Sequence, residues 1–296
     1  MSDIIKYTVE NGELNGLHHR FIQPPQVIYF VTTVDKMGNT NVTPVTMGTC
    51  IGHNFCSFTL SNLHVGADEW DQDSNEWIDG VKQGYANLRE VPECVISYFG
   101  YDMMREAWIS GMPVPKGISE IDVMGFTPLE SSVVKPCGIK ECPINLEAKV
   151  LYTHKLGARW TNYICEIVAA SVHEDLVKEN EEGELAGYGM LSLDPPFEVM
   201  IASGNTPETS TYRLYYDRLD FKKIDRCPAD IGYEADWIGT FAQWMHDEVK
   251  HGHITEAEEQ RALELEKLWR VNRDPIANAA VKEELTFLCK KAVGKA

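Results

Sequence analysis

From residue 26 the chain opens into an apolar, β-branched run, QVIYFVTTV, that ends in the polar turn Asp35, Lys36, Met37 and Gly38. A second strand-like run over 40–47 follows and carries the tetrad Asn41, Val42, Thr43 and Pro44. This pattern predicts a hairpin with a polar kink in its return strand. Proline cannot donate to a sheet ladder, so Pro44 marks an edge, a bulge or a strand end. Neighbouring amides and the hydroxyls of Thr43 and Thr46 are then free to meet a ligand. Further short β-rich runs at 54–60, 94–99, 146–152 and 162–172, separated by Gly and Pro turns, predict a barrel or a sandwich.

Near residue 225 the periodicity changes from strand to helix. Trp237, Ile238, Phe241, Trp244, Met245 and Val249 fall on one helical face. Thr255 and Glu258 have the spacing of a capping box, which predicts a second helix from Thr255. A third is predicted at Asp274, with Pro275 in its first turn. The expected organisation is therefore a β domain over 1–225 and a helical C-terminal extension over 226–296. The extension carries alternating charge and reads as a solvated amphipathic unit that packs on the barrel or reaches across a dimer.

At 296 residues with 44% hydrophobic side chains, the chain can fill a substantial core. No apolar stretch has the length of a membrane span, and the start MSDIIKYTVE has neither a basic beginning nor a long apolar segment. A cytoplasmic protein with no membrane partner is expected. The net charge of -18 opposes binding to DNA, RNA or an anionic membrane, because such binding depends on clustered Lys and Arg. It does not exclude one phosphate group, which a few amides and a single Lys can hold.

The eight cysteines include no CxxC pair and are expected as reduced, mostly buried thiols; Cys137 and Cys142 also lack that spacing. His246 and His251 stand five positions apart, about 140° around a helix, so with His253 they do not form a helical metal motif, and no metal site is expected. GxGxxG, Walker, GxSxG and HExxH motifs are absent from the sequence.

Residues 81–90, VKQGYANLRE, read as a short helix entered through a glycine. Lys82, Gln83 and Gly84 stand where that helix begins, so its unpaired amides, its positive dipole end and the lysine together suit an anion. The alternative is that Gly84 only relaxes a turn and Lys82 is solvated.

The order of segments shifts the balance between these. The hairpin with NVTP is followed by VKQGYANLRE, by GISEIDVMGFTPLESSVVKPCGIKECPINLEAKV at 117–150, and by HKLGARWTNYICEIVAASVHEDL at 154–176. Over roughly residues 20–220 this order resembles the flavin reductase-like family of FMN-binding split β-barrels, including its flavoredoxin-type members. Its most specific stretch runs from Glu120 through Gly125, Thr127, Pro128 and Pro136 to Glu147. The resemblance implies a mainly β split barrel that binds FMN, or less often FAD, and a homodimer with flavin near the subunit interface. It implies that Thr43, Pro44, Val45, Thr46 and Met47 line the ribityl chain and one edge of the ring, with Thr49 and Cys50 close by. Ser61, Asn62, Lys82, Gln83 and Gly84 would form the phosphate end, and Asn87 matches the family's helix asparagine.

Three features depart from the family pattern. Gly84 stands where many relatives carry a Thr or Ser, leaving backbone amides and Lys82 for the phosphate. Residues 63–81 form an acidic and aromatic insertion, read either as a lid over the flavin or as a surface loop whose tryptophans pack on the barrel. Gly157, Ala158, Arg159 and Trp160 replace a Gly-Asp-His-like segment, so the usual histidine beside the nicotinamide is missing. Arg159 and Trp160 are the candidates for meeting NAD(P)H, by charge and by stacking, or else are a surface arginine and a core tryptophan. The expected activity is NAD(P)H-dependent flavin reduction. The alternatives are an FMN electron carrier with a protein partner, or an enzyme acting on an organic substrate under the insertion.

Overall fold

The computed structural model describes residues 9–10, 13–14, 26–63, 81–157, 159–176, 198–202, 211–215, 220–224 and 240–296. Strands β1 (Val9–Glu10) and β2 (Glu13–Leu14) pair with each other, and β3 (Gln26–Val27) leads into the main body. The predicted hairpin forms as β4 (Tyr29–Val34) and β5 (Thr40–Val45). It is followed by β6 (Gly48–Cys50), β7 (Phe55–Ser61) and β8 (Glu93–Tyr98). After a short pair, β9 (Pro128–Leu129) and β10 (Gly138–Ile139), come two long strands, β11 (Ile144–Leu156) and β12 (Trp160–Val172). Strands β13 (Glu198–Ala202), β14 (Thr211–Tyr215) and β15 (Asp220–Ile224) extend from β3 as a separate four-stranded sheet.

The principal sheet has seven antiparallel strands in the order β5-β4-β8-β11-β12-β7-β6. Its two edge strands, β5 and β6, are consecutive in the chain, so the sheet must curl until its edges meet. The Thr59 amide donates to the Met47 carbonyl at 2.8 Å, which fastens the crossing segment to β7. The result is the mainly β split barrel that the order of segments implied.

Alternation along the strands fixes what lies inside. On β7, Cys56, Phe58 and Leu60 point inward and are buried while their neighbours are less so. Tyr29, Val31, Ile96 and Tyr163 meet them in the barrel interior. Helix α1 (Gln83–Glu90) closes one end by adding Tyr85 and Leu88 to this core.

The opposite face of β4 and β5 supplies Phe30 and Val42 to a second core. That core is completed by α2 (Met104–Ile109), α3 (Glu120–Met124), α4 (Phe241–Lys250), α5 (Glu256–Val271) and α6 (Ala279–Ala292). Trp244 and Trp269 are 0% and 1% exposed within it. The C-terminal helices thus share apolar packing with the barrel strands. Polar ties reinforce the join: Trp269 Nε1 donates to Lys116 O at 2.8 Å and Lys282 Nζ to Asn39 Oδ1 at 2.7 Å.

Local chemistry sets the helix ends. Thr255 Oγ1 accepts from the Glu258 amide while Glu258 Oε2 accepts from the Thr255 amide, the predicted capping box. The face of α4 is buried through Phe241, Trp244 and Met245, whereas Trp237 and Ile238 lie outside the described residues. The third helix starts later than expected, at Ala279 rather than Asp274. The Asp274 carboxylate accepts from the Ile276 and Ala277 amides and holds a turn there, with Pro275 inside it. His246, His251 and His253 each face a different carboxylate, Glu259, Asp247 and Glu248. No helix among the described residues is long and apolar enough to cross a membrane.

Candidate functional site

Strand β5 is a sheet edge, as Pro44 required. Residues 40, 42 and 44 direct their backbone nitrogens away from β4, and at position 44 proline has no hydrogen to leave unpaired. At position 42 the outward-facing amide is buried and taken by a side chain: Val42 N donates to Glu120 Oε2 at 2.5 Å. Glu120 opens α3 and is only 3% exposed. Burial pushes its carboxyl up to about 8, opposed by the Val42 amide, the Asn41 side chain and the nearby Lys82 ammonium.

Helix α1 enters beside this edge. Its cap residue Lys82 is extended, no side chain caps the first turn, and that turn contains no acidic residue. The opening amides of α1 and its positive dipole end are therefore available to an anion. Lys82 is half-buried and burial lowers its ammonium pKa, with Glu120 acting in the opposite direction. Gln83 is 6% exposed, yet neither its Nε2 nor its Oε1 has a hydrogen-bond partner. A buried amide left bare at both ends costs about 1–3 kcal/mol per unmatched group, so Gln83 is suited to a polar partner that completes it.

Gly84 has a reason that the sequence did not reveal. A Cβ there would lie 2.8 Å from Asn41 Oδ1 and 2.9 Å from Thr43 Oγ1. The helix start is pressed against β5, and a residue with a side chain does not fit without displacement. Thr43 Oγ1 in turn donates to Asn41 Oδ1 at 2.9 Å, so Asn41 joins β5 to both α1 and Glu120.

Asn62 forms the next joint. It is fully buried; its amide donates to Arg159 O at 2.7 Å, its carbonyl accepts from the Lys82 amide at 2.9 Å, and its Oδ1 accepts from Thr161 Oγ1 at 2.8 Å. This residue binds the start of β12 to the cap of α1. Ser61 donates its hydroxyl to Leu63 O at 2.7 Å and stands opposite Trp160 in the β7–β12 register. Trp160 is 38% exposed, so it is not a core tryptophan. Arg159, Trp160, Ser61, Asn62, Lys82, Gln83, Gly84 and Thr43 are thus brought into one neighbourhood.

The remaining candidates divide. Val45 is buried in the barrel interior, while Pro44, Thr46 and Met47 are partly exposed along the crossing from β5 to β6. Asn87 is 1% exposed, donates to Thr33 Oγ1 at 3.2 Å and keeps its Oδ1 without a partner. Thr49 and Cys50 are exposed but lie at the other end of β7, since Cys50 pairs with Cys56. From Cys56 to Ser61 is about 17 Å of extended strand. Cys56 also opposes Cys165, whose hydrogen bond, together with burial, keeps the Cys56 thiol protonated. The segment 64–80, most of the insertion, lies outside the described residues; its flanks Leu63 and Val81 form an antiparallel bridge.

Two observations fit a phosphorylated flavin: the bare, buried Gln83 amide and the uncapped helix start beside a lysine, which Gly84 lets approach the edge strand β5 closely. Comparison with known proteins gives the family. The uncharacterized protein YdfE of Bacillus subtilis (strain 168) is 29% identical over 146 residues, which cover 43% of this chain and 61% of that protein. An uncharacterized protein of Pyrococcus abyssi (strain GE5 / Orsay) is 33% identical over 88 residues, covering 30% of this chain and 49% of that protein. The chain therefore spans 61% and 49% of the lengths of these relatives. Among solved structures, nitrilotriacetate monooxygenase component B from Bacillus cereus is similar in fold, with a TM-score of 0.50 and 18% identity over 76% of this chain and 98% of that one. The family model described as Flavin reductase like domain matches residues 23–189, more than half of the sequence, and the chain belongs to that family.

Proposed function

We propose that the protein is an FMN-dependent oxidoreductase that takes its electrons from NAD(P)H. The observation that carries this reading is Gln83: a buried amide without partners, at the uncapped start of α1, next to Lys82. A phosphate in that position accepts from the first amides of α1 and from Lys82, and the Gln83 side chain turns to it or to the ribityl hydroxyls. FMN is favoured over FAD because the cradle offers one lysine and one helix start.

When bound, a flavin would supply the hydride-accepting redox chemistry that the side chains of this site do not provide. The protein's own groups bind and orient. Thr43, Thr46 and the backbone of 44–47 present hydroxyls and carbonyls along the edge of the barrel. Trp160 offers a flat, exposed ring for stacking, and Arg159 beside it offers charge for a dinucleotide phosphate. Asn62 links the main chains of Arg159 and Lys82 through its own amide and carbonyl, and its side chain adds Thr161, so both ends of the site meet at one buried residue.

Homodimerisation belongs to the same proposal. The outer half of the β11–β12 hairpin exposes Tyr152, Leu156 and Trp160, apolar surface that suits a second copy. The packed thiols of Cys56, Cys94 and Cys165 suit a reducing cytoplasm.

The test is an absorbance titration of the purified protein with FMN, followed by anaerobic NADH and NADPH. Uptake of FMN and bleaching by either nucleotide support the proposal, and absence of uptake rejects it. The net charge of -18 favours one second reading, an electron carrier that meets a basic protein partner. A protein that holds FMN but ignores both nucleotides supports that reading.

A further inference from the structure

Glu120 has no assigned part in the chemistry above, yet it sits behind the anion cradle. Its carboxyl holds the edge amide of Val42 at 2.5 Å and meets the Asn41 side chain. Asn41 is the group against which Gly84 packs, and Lys82 lies within electrostatic reach of the carboxyl. These contacts connect α3, β5 and the start of α1 through polar atoms.

We propose that Glu120 is a positioning residue that sets the charge of the cradle at the start of α1. Binding of the phosphorylated flavin then weakens when the Glu120 carboxyl ionises, while binding of its unphosphorylated core does not. This inference rests on the FMN reading given above.

The argument is electrostatic. With Glu120 neutral, the Lys82 charge and the α1 dipole are uncompensated and attract a phosphate dianion. With Glu120 ionised, a buried negative charge offsets Lys82 and repels the same dianion. Burial keeps the neutral form dominant at neutral pH and moves the change to about pH 8.

The groups facing Glu120 can be named. From β5 come the Asn41 side chain and the Val42 amide, neither of them ionisable, and from α1 comes Lys82. On α6, which also packs on α3, Lys282 is engaged by Asn39 and Lys291 by Glu258. Glu283 and Lys290 line a groove with Asp122 on the exposed side of α3. Lys82 is therefore the charge coupled to Glu120.

Linkage makes the coupling reciprocal: a dianion that prefers neutral Glu120 must promote proton uptake by it. Above pH 7 the phosphate is itself past its second ionisation near pH 6, so the proton taken up belongs to the protein.

The experiment titrates the full chain with FMN and with riboflavin from pH 7 to pH 9.5, as wild type and as Glu120→Gln. Calorimetry in two buffers of different ionisation enthalpy measures proton uptake. The expected result is an FMN affinity that falls about tenfold between pH 7 and pH 9 in the wild type, with riboflavin unchanged and net proton uptake near pH 8. Glu120→Gln retains an acceptor for the Val42 amide, so it should bind FMN as at pH 7 and lose the step. An identical step in Glu120→Gln would assign the titration to Lys82 and overturn the inference. So would a flat wild-type profile. Should the variant fail to fold, zero wild-type proton uptake near pH 8 would still overturn the inference, and Lys82→Gln, in which uptake by Lys82 is impossible, replaces it: uptake lost in that variant overturns the inference and uptake retained supports it. Failure of FMN to bind at pH 7 removes the proposed function itself, whereas FMN binding without pH dependence removes only the role of Glu120.

Discussion

The Cβ that Gly84 lacks would stand 2.9 Å from the hydroxyl oxygen of Thr43, so the start of α1 and the edge strand β5 touch where the proposed phosphate end meets the proposed ribityl edge. Substituting Gly84→Ala raises helix propensity by up to about 1 kcal/mol, but it also overpacks the contact at about 1–3 kcal/mol. The second effect wins, because Asn41 is buried and already bonded. Gly84→Ala should lower the melting temperature and weaken FMN binding at least tenfold, read by thermal unfolding and flavin fluorescence titration.

Glu147 is 3% exposed and accepts from three successive amides, Ser132, Val133 and Val134, at 2.7, 2.7 and 3.1 Å. One carboxylate thus anchors the 131–136 loop to β11. Glu147→Ala strands these amides and should destabilise the protein by about 3 kcal/mol or more. Denaturant midpoints of the two proteins measure the difference.

The Glu120 carboxyl also links stability to pH. Its folded pKa of about 8 lies above the ordinary value of 4.5, so between those pH values the folded state holds a proton that the unfolded state has released. This group's contribution is greatest below pH 4.5 and declines until about pH 8, with a limiting slope of about 1.4 kcal/mol per pH unit. Lys82 acts with the opposite sign in a higher window, since its lowered folded pKa makes stability recover as pH approaches 10.5. Unfolding curves from pH 5 to pH 8 should slope downward less in Glu120→Gln than in the wild type.

Arg159 and Trp160 are tested by kinetics. Trp160→Ala and Arg159→Ala should each reduce kcat/KM for NADH or NADPH by about tenfold or more, the loss of roughly 1.4 kcal/mol of binding to the transition state. FMN affinity should change less than threefold. Steady-state nucleotide oxidation at saturating FMN separates the two quantities.

The C-terminal helices share a core with Phe30 and Val42, so they are expected to be indispensable to the barrel. Trp244→Ala should destabilise by about 3–5 kcal/mol. Ending the chain after Asp225 should give an insoluble or unfolded product, seen by circular dichroism and gel filtration.

Much of this was legible in the residues. The apolar, β-branched runs of β4 and β5, the polar turn between them and the placement of Pro44 gave the hairpin and its edge, because strand propensity, turn chemistry and the missing proline amide act locally. The Thr255–Glu258 box was legible for the same reason. The delayed start of α6 was not, since a proline after an acidic residue suits both a helix entry and a side-chain-bonded turn. At the candidate site, Lys82 and Gly84 carried a local signal of a helix entry. The close approach of Asn41 and Thr43, and Glu120 behind them, depend on residues far apart in sequence, which no spacing rule connects. Glu120 stood out only as a landmark of order, and Asn62 as a ligand candidate. The structure adds to Asn62 the work of joining β12 to α1.

Leu63 and Val81 pair across the gap that residues 64–80 bridge, so this excursion leaves and rejoins the barrel at adjacent points. The bridge therefore gives whatever lies between those two residues a fixed address, directly before the start of α1.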